Sequence, residues 1–241
     1  MQSHFYRQIY HLEEYYWWYR SRRNLVKQFL PSGKQLKILD IGCGTGKLME
    51  VLQDYGEIYG IDASQQAINF CRQRHLEHVY RNKFPDSKHL GSKRFNVIIC
   101  LDVIEHIFND TKAMATINQL LSSGGRLILT VPAYSWLFSY WDQASGHYRR
   151  FSLAQITQLI EACGLKLVKT SYLYSFLMPI AIPFRLIKHH LFLNQVPPSD
   201  LVKLPWLINK LLFGLATLEQ LLLSYIHLPF GLSIVCIAEK P

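Results

Sequence analysis

Two carboxylates flank a glycine-rich turn near the start of the sequence. Asp40 lies two residues before a run that contains Gly42, Gly44 and Gly46, and Asp62 ends the apolar segment that comes next. Glycine has no Cβ, so such a turn can approach a ligand closely. A dinucleotide site has the spacing G-x-G-x-x-G, whereas this one is G-x-G-x-G, and Asp40 would repel a pyrophosphate. We predict a site for a nucleoside that carries an ammonium or sulfonium group, with Asp62 accepting both ribose hydroxyls.

A second set of candidate residues follows two later apolar segments. Asp102, Glu105 and His106 come after residues 95–101, and His147 lies in the loop after residues 124–131. A histidine with a pKa near 7 can take the proton of an alcohol or phenol, so His106 and His147 are the candidate catalytic bases. The alternative for each is structural: His106 bonded to backbone at a helix start, and His147 orienting a neighbouring arginine.

The same residues could bind a divalent metal. If a helix began by Asp102, then Asp102, Glu105 and His106 would share one of its faces, and His147 would add a second imidazole. We do not favour a metal, because carboxylates at a helix start also cap the helix and complement its dipole.

Five arginines could form an anion pocket, since their planar groups suit phosphate or carboxylate: Arg20, Arg22, Arg23, Arg149 and Arg150. The alternative is that they are surface arginines paired with Glu13, Glu14 or solvent.

These residues need a scaffold in which strands alternate with helices. We predict a helix over 4–30 and strands over 36–41, 57–62, 78–81, 95–101, 124–131, 165–171 and 232–238. Helices are predicted over 46–54, 64–75 and 109–122, with Ser64 and Asn109 as N-caps, and Ser152 is predicted to cap a further helix that ends near Gly164. This alternation indicates a parallel sheet with right-handed crossovers, whose ligand site lies beyond the carboxyl ends of the strands.

The residues from Asp40 to Gly46 resemble the first motif of class I S-adenosylmethionine-dependent methyltransferases, and Asp62 matches the ribose-binding acid of that family. The segment from Asp102 to His106 is similar to the E-x-x-E-H segment of quinone-biosynthesis O-methyltransferases. Residues 146–152, 17–20 and 229–233 resemble bacterial methyltransferases of glycan and lipid assembly. The resemblance implies an α/β fold in one domain, 1–241: a Rossmann-like, doubly wound, seven-stranded sheet, mostly parallel with an antiparallel last strand.

The resemblance also implies S-adenosyl-L-methionine as cofactor and S-adenosyl-L-homocysteine as product. It implies Asp62 at the ribose, Ala63 beside the adenine, and Leu101 and Asp102 closing over the ligand. The full set of expected cofactor-binding residues is Asp40, Gly42, Gly44, Gly46, Asp62, Ala63, Asn82, Leu101, Asp102 and Arg20. Asn82 stands where the family usually has an acid, and Asn96 stands where it usually has Asp before the fourth strand.

Composition sets broader limits. The chain has 241 residues, of which 49% are hydrophobic, enough for one α/β domain with a full core. Its five cysteines are scattered without a C-x-x-C pair, which favours buried thiols in a reducing cytoplasm. The first residues lack the apolar core of a signal peptide. The net charge of +9 favours acidic partners such as phosphates, anionic lipid or RNA, although basic residues also keep a surface solvated.

Two segments extend the expected sheet. Residues 1–33 form a predicted N-terminal helical cap, and residues 172–230 form a largely apolar helical insertion between the last two strands. Its helix over 206–226 is apolar nearly all round, so something must cover it. We expect a lid over the site, a homodimer interface, or a segment in a membrane interface, and therefore a cytoplasmic or membrane-peripheral protein.

The leading hypothesis is methyl transfer to an oxygen of a small or lipid-linked acceptor. An RNA methyltransferase is the first alternative, favoured by positive charge, but no RNA-binding module is visible, so nucleic acid is the less favoured partner. The second alternative is a protein that binds the cofactor or its demethylated product without turnover, which the departures at Asn82 and Asn96 keep open.

Overall fold

A seven-stranded sheet forms the centre of the protein. The computed structural model describes residues 3–33, 35–183 and 204–241. The strand order is β3-β2-β1-β4-β5-β7-β6, and β7 is antiparallel to both β5 and β6, whereas the pairs among β1 to β5 are parallel. The strands are β1 Leu36–Ile41, β2 Gly56–Asp62, β3 Val79–Arg81, β4 Phe95–Leu101, β5 Leu121–Pro132, β6 Lys166–Leu173 and β7 Ser233–Glu239. The predicted doubly wound sheet with an antiparallel last strand is confirmed.

Helices cover both faces of this sheet. They are α1 Ser3–Leu12, α2 Trp17–Phe29, α3 Lys47–Leu52, α4 Gln65–Gln73, α5 Asp110–Leu120, α6 Tyr140–Ala144, α7 Leu153–Ala162 and α8 Trp206–Leu223. One buried core lies between the sheet and α5 and α7. The other lies between the sheet and α2, α3, α4 and α8. Strand β1 has β2 on one side and β4 on the other, so the chain crosses in opposite directions from it, and a ligand crevice opens at the carboxyl end of such a strand.

Several local predictions are confirmed by side-chain caps. Ser64 Oγ accepts from the N–H of Ala67 at 3.4 Å, and Asn109 Oδ1 accepts from the N–H of Lys112 at 2.8 Å. Ser152 accepts from the N–H of Gln155 at 3.2 Å, and Gln155 bonds back to Ser152, forming a capping box. These contacts are local in sequence, which is why the residue pattern predicts them.

The single helix predicted over 4–30 is wrong, because the chain turns between α1 and α2. Tyr16 is extended and its own side chain caps nothing. The first N–H of α2, on Trp17, instead donates to Asn209 Oδ1 at 2.8 Å. The cap comes from α8, so no residue near the turn signals the break. Strand β5 also starts earlier than predicted, at Leu121, ahead of Gly124.

The predicted insertion 172–230 lies partly outside the described residues, which do not include 184–203. Within the described part, residues 178–183 are helical and α8 packs along α2. By length and composition alone, α8 is the one helix among the described residues that could cross a membrane. All five cysteines are free, and four of them are buried.

Candidate active site

The glycine loop after β1 is both tightly packed and open. Gly42, Gly44 and Gly46 all have left-handed backbones, with φ of 76°, 54° and 83°. A Cβ on Gly42 would lie 2.4 Å from Cγ2 of Val103, so this part of the loop packs directly on the segment after β4. A Cβ on Gly44 would meet no atom within 4 Å. The loop therefore leaves a cradle at Gly44, at the carboxyl end of β1, where a ligand can contact bare backbone.

Asp62, at the end of β2, faces this cradle. Its carboxylate accepts from the N–H of Gly44 at 3.0 Å and from the N–H of Ser64 at 2.8 Å. The hydroxyl of Tyr6 also bonds to it. Burial raises the pKa of Asp62, and burial followed by the Asp62 charge raises the pKa of Tyr6 to about 12, so Tyr6 is a donor at neutral pH. These bonds fix the Asp62 carboxylate in place. The Tyr6 hydroxyl donates to it at a position that a ribose hydroxyl could also use.

Asp40 is buried at the end of β1. Burial, and then the nearby Asp62 carboxylate, raises the pKa of Asp40 to about 8. Asp40 is therefore mostly protonated at neutral pH in the ligand-free protein. A cation placed beside it would favour the ionised form and lower the pKa again.

The N-terminal helices clamp the outside of the loop. Glu13 is buried between α1 and α2, where it accepts from Thr45 Oγ1 at 2.6 Å and from Arg74 Nη2 at 2.7 Å. Glu14 pairs with Lys47, the first residue of α3, at 2.6 Å. The predicted N-terminal cap thus attaches to the glycine loop itself. Tyr6 and Glu13 were absent from the predicted site residues, because only the folded chain brings them to residues 45–74.

Asp102 is held in a strained conformation at the end of β4. It has a φ of 53°, which a non-glycine residue rarely adopts. The buried Arg22 of α2 forms an ion pair with its carboxylate, and Arg22 Nη1 donates to Thr130 Oγ1 at 2.6 Å. Thr130 Oγ1 donates in turn to Asp102 at 3.2 Å. Strands β4 and β5 and helix α2 therefore together fix the residue that was predicted to close over the cofactor.

Beyond Asp102, three potential ligand or proton-transfer groups meet. The nearest such atoms of Glu105, His106 and His147 all lie within 4.8 Å of one another. The two imidazole rings meet edge to face, with centroids 4.5 Å apart. His106 Nδ1 bonds to the carbonyl of Gly146 at 3.2 Å, and His147 Nδ1 bonds to Asp142 Oδ1 at 3.1 Å. Because a carbonyl and a carboxylate accept, each Nδ1 carries hydrogen, so Nε2 is the nitrogen that has the lone pair when the ring is neutral. The two predicted bases are thus adjacent.

Glu105 is fully buried, and neither carboxylate oxygen has a hydrogen-bond partner. Burial, reinforced by the Asp102 charge, raises its pKa well above the usual range. A buried carboxyl beside two imidazole lone pairs has the donor set of a divalent-cation site. Asp102 is not part of this cluster, because the condition for it, a helix that begins by Asp102, is not met. Residues 104–106 form a short 3-10 turn, and α5 begins only at Asp110.

Three further predicted residues lie at the same edge of the sheet. Asn82 is buried directly after β3, where its N–H donates to the carbonyl of Asp62 at 2.8 Å and its side chain donates to Asp86 O at 2.7 Å. Ala63 and Leu101 follow β2 and end β4. Asn96 is elsewhere, at the other end of β4, where it accepts from the N–H of Lys37 at 2.8 Å.

The five arginines do not form one pocket. Arg20, predicted at the cofactor, stacks over the ring of Phe213 at 3.7 Å, so its guanidinium lies on α8. Arg22, two residues on, reaches Asp102 at the edge of the sheet. Arg149 pairs with Asp110, and Arg150 with the buried Asp142. Arg23 donates to the carbonyls of residues 13 and 14.

Comparison with known proteins decides the family. A family model described as a methyltransferase domain matches residues 12–170, more than half of the chain. The chain belongs to this methyltransferase family. The methyltransferase is 26% identical over 162 residues to a ubiquinone biosynthesis O-methyltransferase of Coxiella burnetii, covering 60% of this chain and 68% of that one.

Solved structures share the fold. The complex of a methyltransferase with the Haloferax volcanii Trm112 methyltransferase activator contains a chain with a TM-score of 0.63 and 12% identity, covering 98% of this chain and 94% of that chain. The N-methyltransferase NodS from Bradyrhizobium japonicum, in complex with S-adenosyl-L-homocysteine, has a TM-score of 0.54 and 20% identity, covering 65% and 80%. The protein is an S-adenosylmethionine-dependent methyltransferase, as the glycine spacing and Asp62 predicted.

Proposed function

We propose that this methyltransferase transfers the methyl group of S-adenosylmethionine to an oxygen atom of a small or lipid-linked acceptor. One observation carries the choice of oxygen: two imidazoles with free Nε2 lone pairs stand beside the predicted cofactor edge of the sheet. A hydroxyl acceptor has to lose a proton, and a neutral imidazole can take it. The distant O-methyltransferase relatives support the same class of acceptor.

The bound cofactor supplies an activated methyl group on a sulfonium, whose leaving group is neutral. The protein therefore contributes chiefly by positioning the reactants. Asp62, already fixed by the N–H groups of Gly44 and Ser64, would hold the ribose. Asp40 would ionise beside the cationic end of the ligand, and the open backbone at Gly44 would admit it.

His147 is the better placed of the two bases. Its Nδ1–H donates to Asp142, which fixes the ring and stabilises the imidazolium that forms when Nε2 accepts a proton. Asp142 is itself buried and held by the guanidinium of Arg150 at 2.8 Å and by the N–H of Ser139 at 2.9 Å. His106 has only a carbonyl behind it. Desolvation, and then His147, lower the pKa of His106, which favours its neutral form.

A divalent cation is the alternative way to activate the hydroxyl at the same place. The residues that fit it are Glu105, His106 and His147, whose ligand atoms lie within 4.8 Å of one another. Such a cation would lower the pKa of a bound hydroxyl and replace the base. Activity that survives exhaustive chelation supports the imidazole base, whereas activity lost to chelator and restored by a metal supports the cation.

The acceptor is tested by incubating the protein with radiolabelled cofactor and separate lipid, small-molecule, RNA and protein fractions of a cell lysate. We expect label in the lipid or small-molecule fraction, stable to mild acid as an ether. Label in RNA would replace this proposal with the RNA alternative. Cofactor binding with no label in any fraction would favour a non-catalytic binding protein.

The role of His147 is tested once an acceptor is labelled. His147→Ala is expected to lower kcat by roughly 100-fold or more, with unchanged affinity for S-adenosylhomocysteine. His89→Ala, which removes an exposed histidine before β4, is the matched control and leaves kcat unchanged. A larger loss in His106→Ala than in His147→Ala would contradict the assignment of His147 as the base.

A further inference from the structure

Helix α8 is apolar on its outward side as well as on the side that packs on the core, unlike a surface helix of a soluble protein. Its amide and acidic residues point inward and are buried: Asn209, Glu219 and Gln220. Asn209 accepts from Trp17 N and donates to Tyr15 O, and Gln220 Nε2 donates to Ser21 O at 2.8 Å. Glu219 accepts from the backbone N–H groups of Tyr174 and Ser175 after β6. These three side chains therefore fasten α8 to α2 and to the end of β6.

The outward face is apolar along the whole helix. In the part of the chain that the structure describes, Leu207, Leu211, Leu218 and Leu221 are 57–71% exposed. Leu222 and Leu215 continue the same stripe, and Tyr225 extends it past the end of the helix. A soluble helix places such a stripe toward the core. We call these side chains the leucine face.

The composition of the leucine face favours lipid over a protein partner. Protein interfaces carry about one hydrogen bond per 100–200 Å², and leucine is under-represented among the residues that dominate their binding energy. The leucine face itself has almost no group to make such bonds, because Asn209, Glu219 and Gln220 are turned inward. Exposed aromatics stand near its two ends, Trp206 and Tyr225. Tryptophan and tyrosine are enriched at the membrane–water interface, where their amphipathic rings lie at the level of the head groups.

Charge favours an anionic bilayer. Lys210 lies at the N-terminal end of α8, with its ammonium 5.0 Å from the ring of Trp206, and it lines a cleft that also includes Arg20 and Asn209. The one acidic residue of α8, Glu219, is buried and bonded to backbone. The protein as a whole carries a charge of +9. Cations beside an exposed apolar helix face attract anionic head groups.

We propose that α8 lies in the plane of an anionic membrane surface, with the leucine face inserted at the boundary between head groups and acyl chains. The hydrogen bonds of Asn209 with Tyr15 and Trp17, and of Gln220 with Ser21, tie the other side of α8 to the body of the protein, so α8 does not span the bilayer. This surface is separate from the histidine pair, and its test does not depend on the acceptor.

Flotation of the full chain with vesicles tests the proposal. We expect binding to phosphatidylcholine vesicles that contain phosphatidylglycerol, and weaker binding to phosphatidylcholine alone. Leu211→Glu is expected to weaken partitioning at least about tenfold, and Lys210→Gln about fivefold on the anionic vesicles only. The matched control is Val168→Glu, which adds the same charge at an exposed apolar residue of β6 and leaves binding unchanged.

A second readout uses the wild-type protein alone. Brominated phosphatidylcholine, mixed into the anionic vesicles, should quench tryptophan fluorescence, and Trp206→Phe should remove most of that quenching. Absence of vesicle binding by the wild type overturns the proposal, and so does equal loss in Leu211→Glu and Val168→Glu. A dimer in light scattering that Leu211→Glu dissociates, without vesicle binding, would assign the leucine face to a second copy of the chain.

Discussion

Gly44→Ala tests whether the cradle on the glycine loop holds the cofactor. Gly44 has a φ of 54°, and a Cβ there would meet no protein atom within 4 Å. The new methyl group therefore costs only the left-handed backbone, roughly 1–2 kcal/mol of unfolding free energy. Because the methyl group fills space that the ligand needs, we expect affinity for S-adenosylhomocysteine to fall at least about tenfold, equivalent to about 1.4 kcal/mol.

Gly124→Ala is the matched control. Gly124 has a φ of 72° and an equally open Cβ position, but it lies near the start of β5, at the opposite end of the sheet. Its N–H donates to the carbonyl of Lys240, a bond that alanine keeps. We expect the same loss of stability as in Gly44→Ala and unchanged affinity.

Urea unfolding measures the stability change, and titration calorimetry with S-adenosylhomocysteine measures the affinity. Wild-type affinity in Gly44→Ala would refute the placement of the ligand on the loop. An equal loss of affinity in both variants would show that binding follows overall stability and not the filled cradle.

Two more predictions concern the flanking carboxylates. Asp62→Ala should weaken cofactor binding at least about tenfold in calorimetry, because the N–H groups of Gly44 and Ser64 lose their acceptor and the ribose loses its partner; unchanged affinity would remove Asp62 from the site. The pKa of Asp40 is about 8 before binding, so binding a cationic cofactor should release a proton, and affinity should rise as pH increases toward 8. Calorimetry in buffers of different ionisation enthalpy measures the number of protons released. Asp40→Asn cannot release this proton, so it should show a smaller proton release and a flatter dependence of affinity on pH. Equal proton release in both proteins would contradict the role of Asp40.

The parts of the fold that depend on neighbouring residues were predictable. The strands follow apolar runs, and Ser64, Asn109 and Ser152 cap the helices that begin beside them. The break between α1 and α2 was not predictable, because the first N–H of α2, on Trp17, is capped by Asn209, which is 192 residues away. The sequence also left open whether a helix begins by Asp102. The structure shows that it does not: the backbone of Asp102 has a positive φ, and distant residues, Arg22 and Thr130, hold its side chain.

The sequence predicted the two histidines as candidate bases but not that their rings are in contact. Their spacing along the chain is 41 residues, and only the loop carrying Gly146 and Asp142 brings their rings to 4.5 Å. The sequence also could not predict that the amides of α8 point inward, because a helix that is apolar nearly all round does not show which side faces the protein.

By itself the sequence determined the cofactor. Its glycine turn lacks the spacing of a pyrophosphate-binding loop, one acid precedes the turn, and another ends the next strand. This arrangement suits a cationic nucleoside wherever the rest of the chain lies. That signal is readable because its parts sit on consecutive strands of one local unit. Only the tertiary structure decided that Tyr6 bonds to Asp62, that Glu13 reaches the glycine loop, that Arg22 fixes Asp102, and that the leucines of α8 point away from the protein. Each of these depends on packing between segments distant in sequence, where the hydrogen-bond partners of a buried polar group select one orientation of a helix over another.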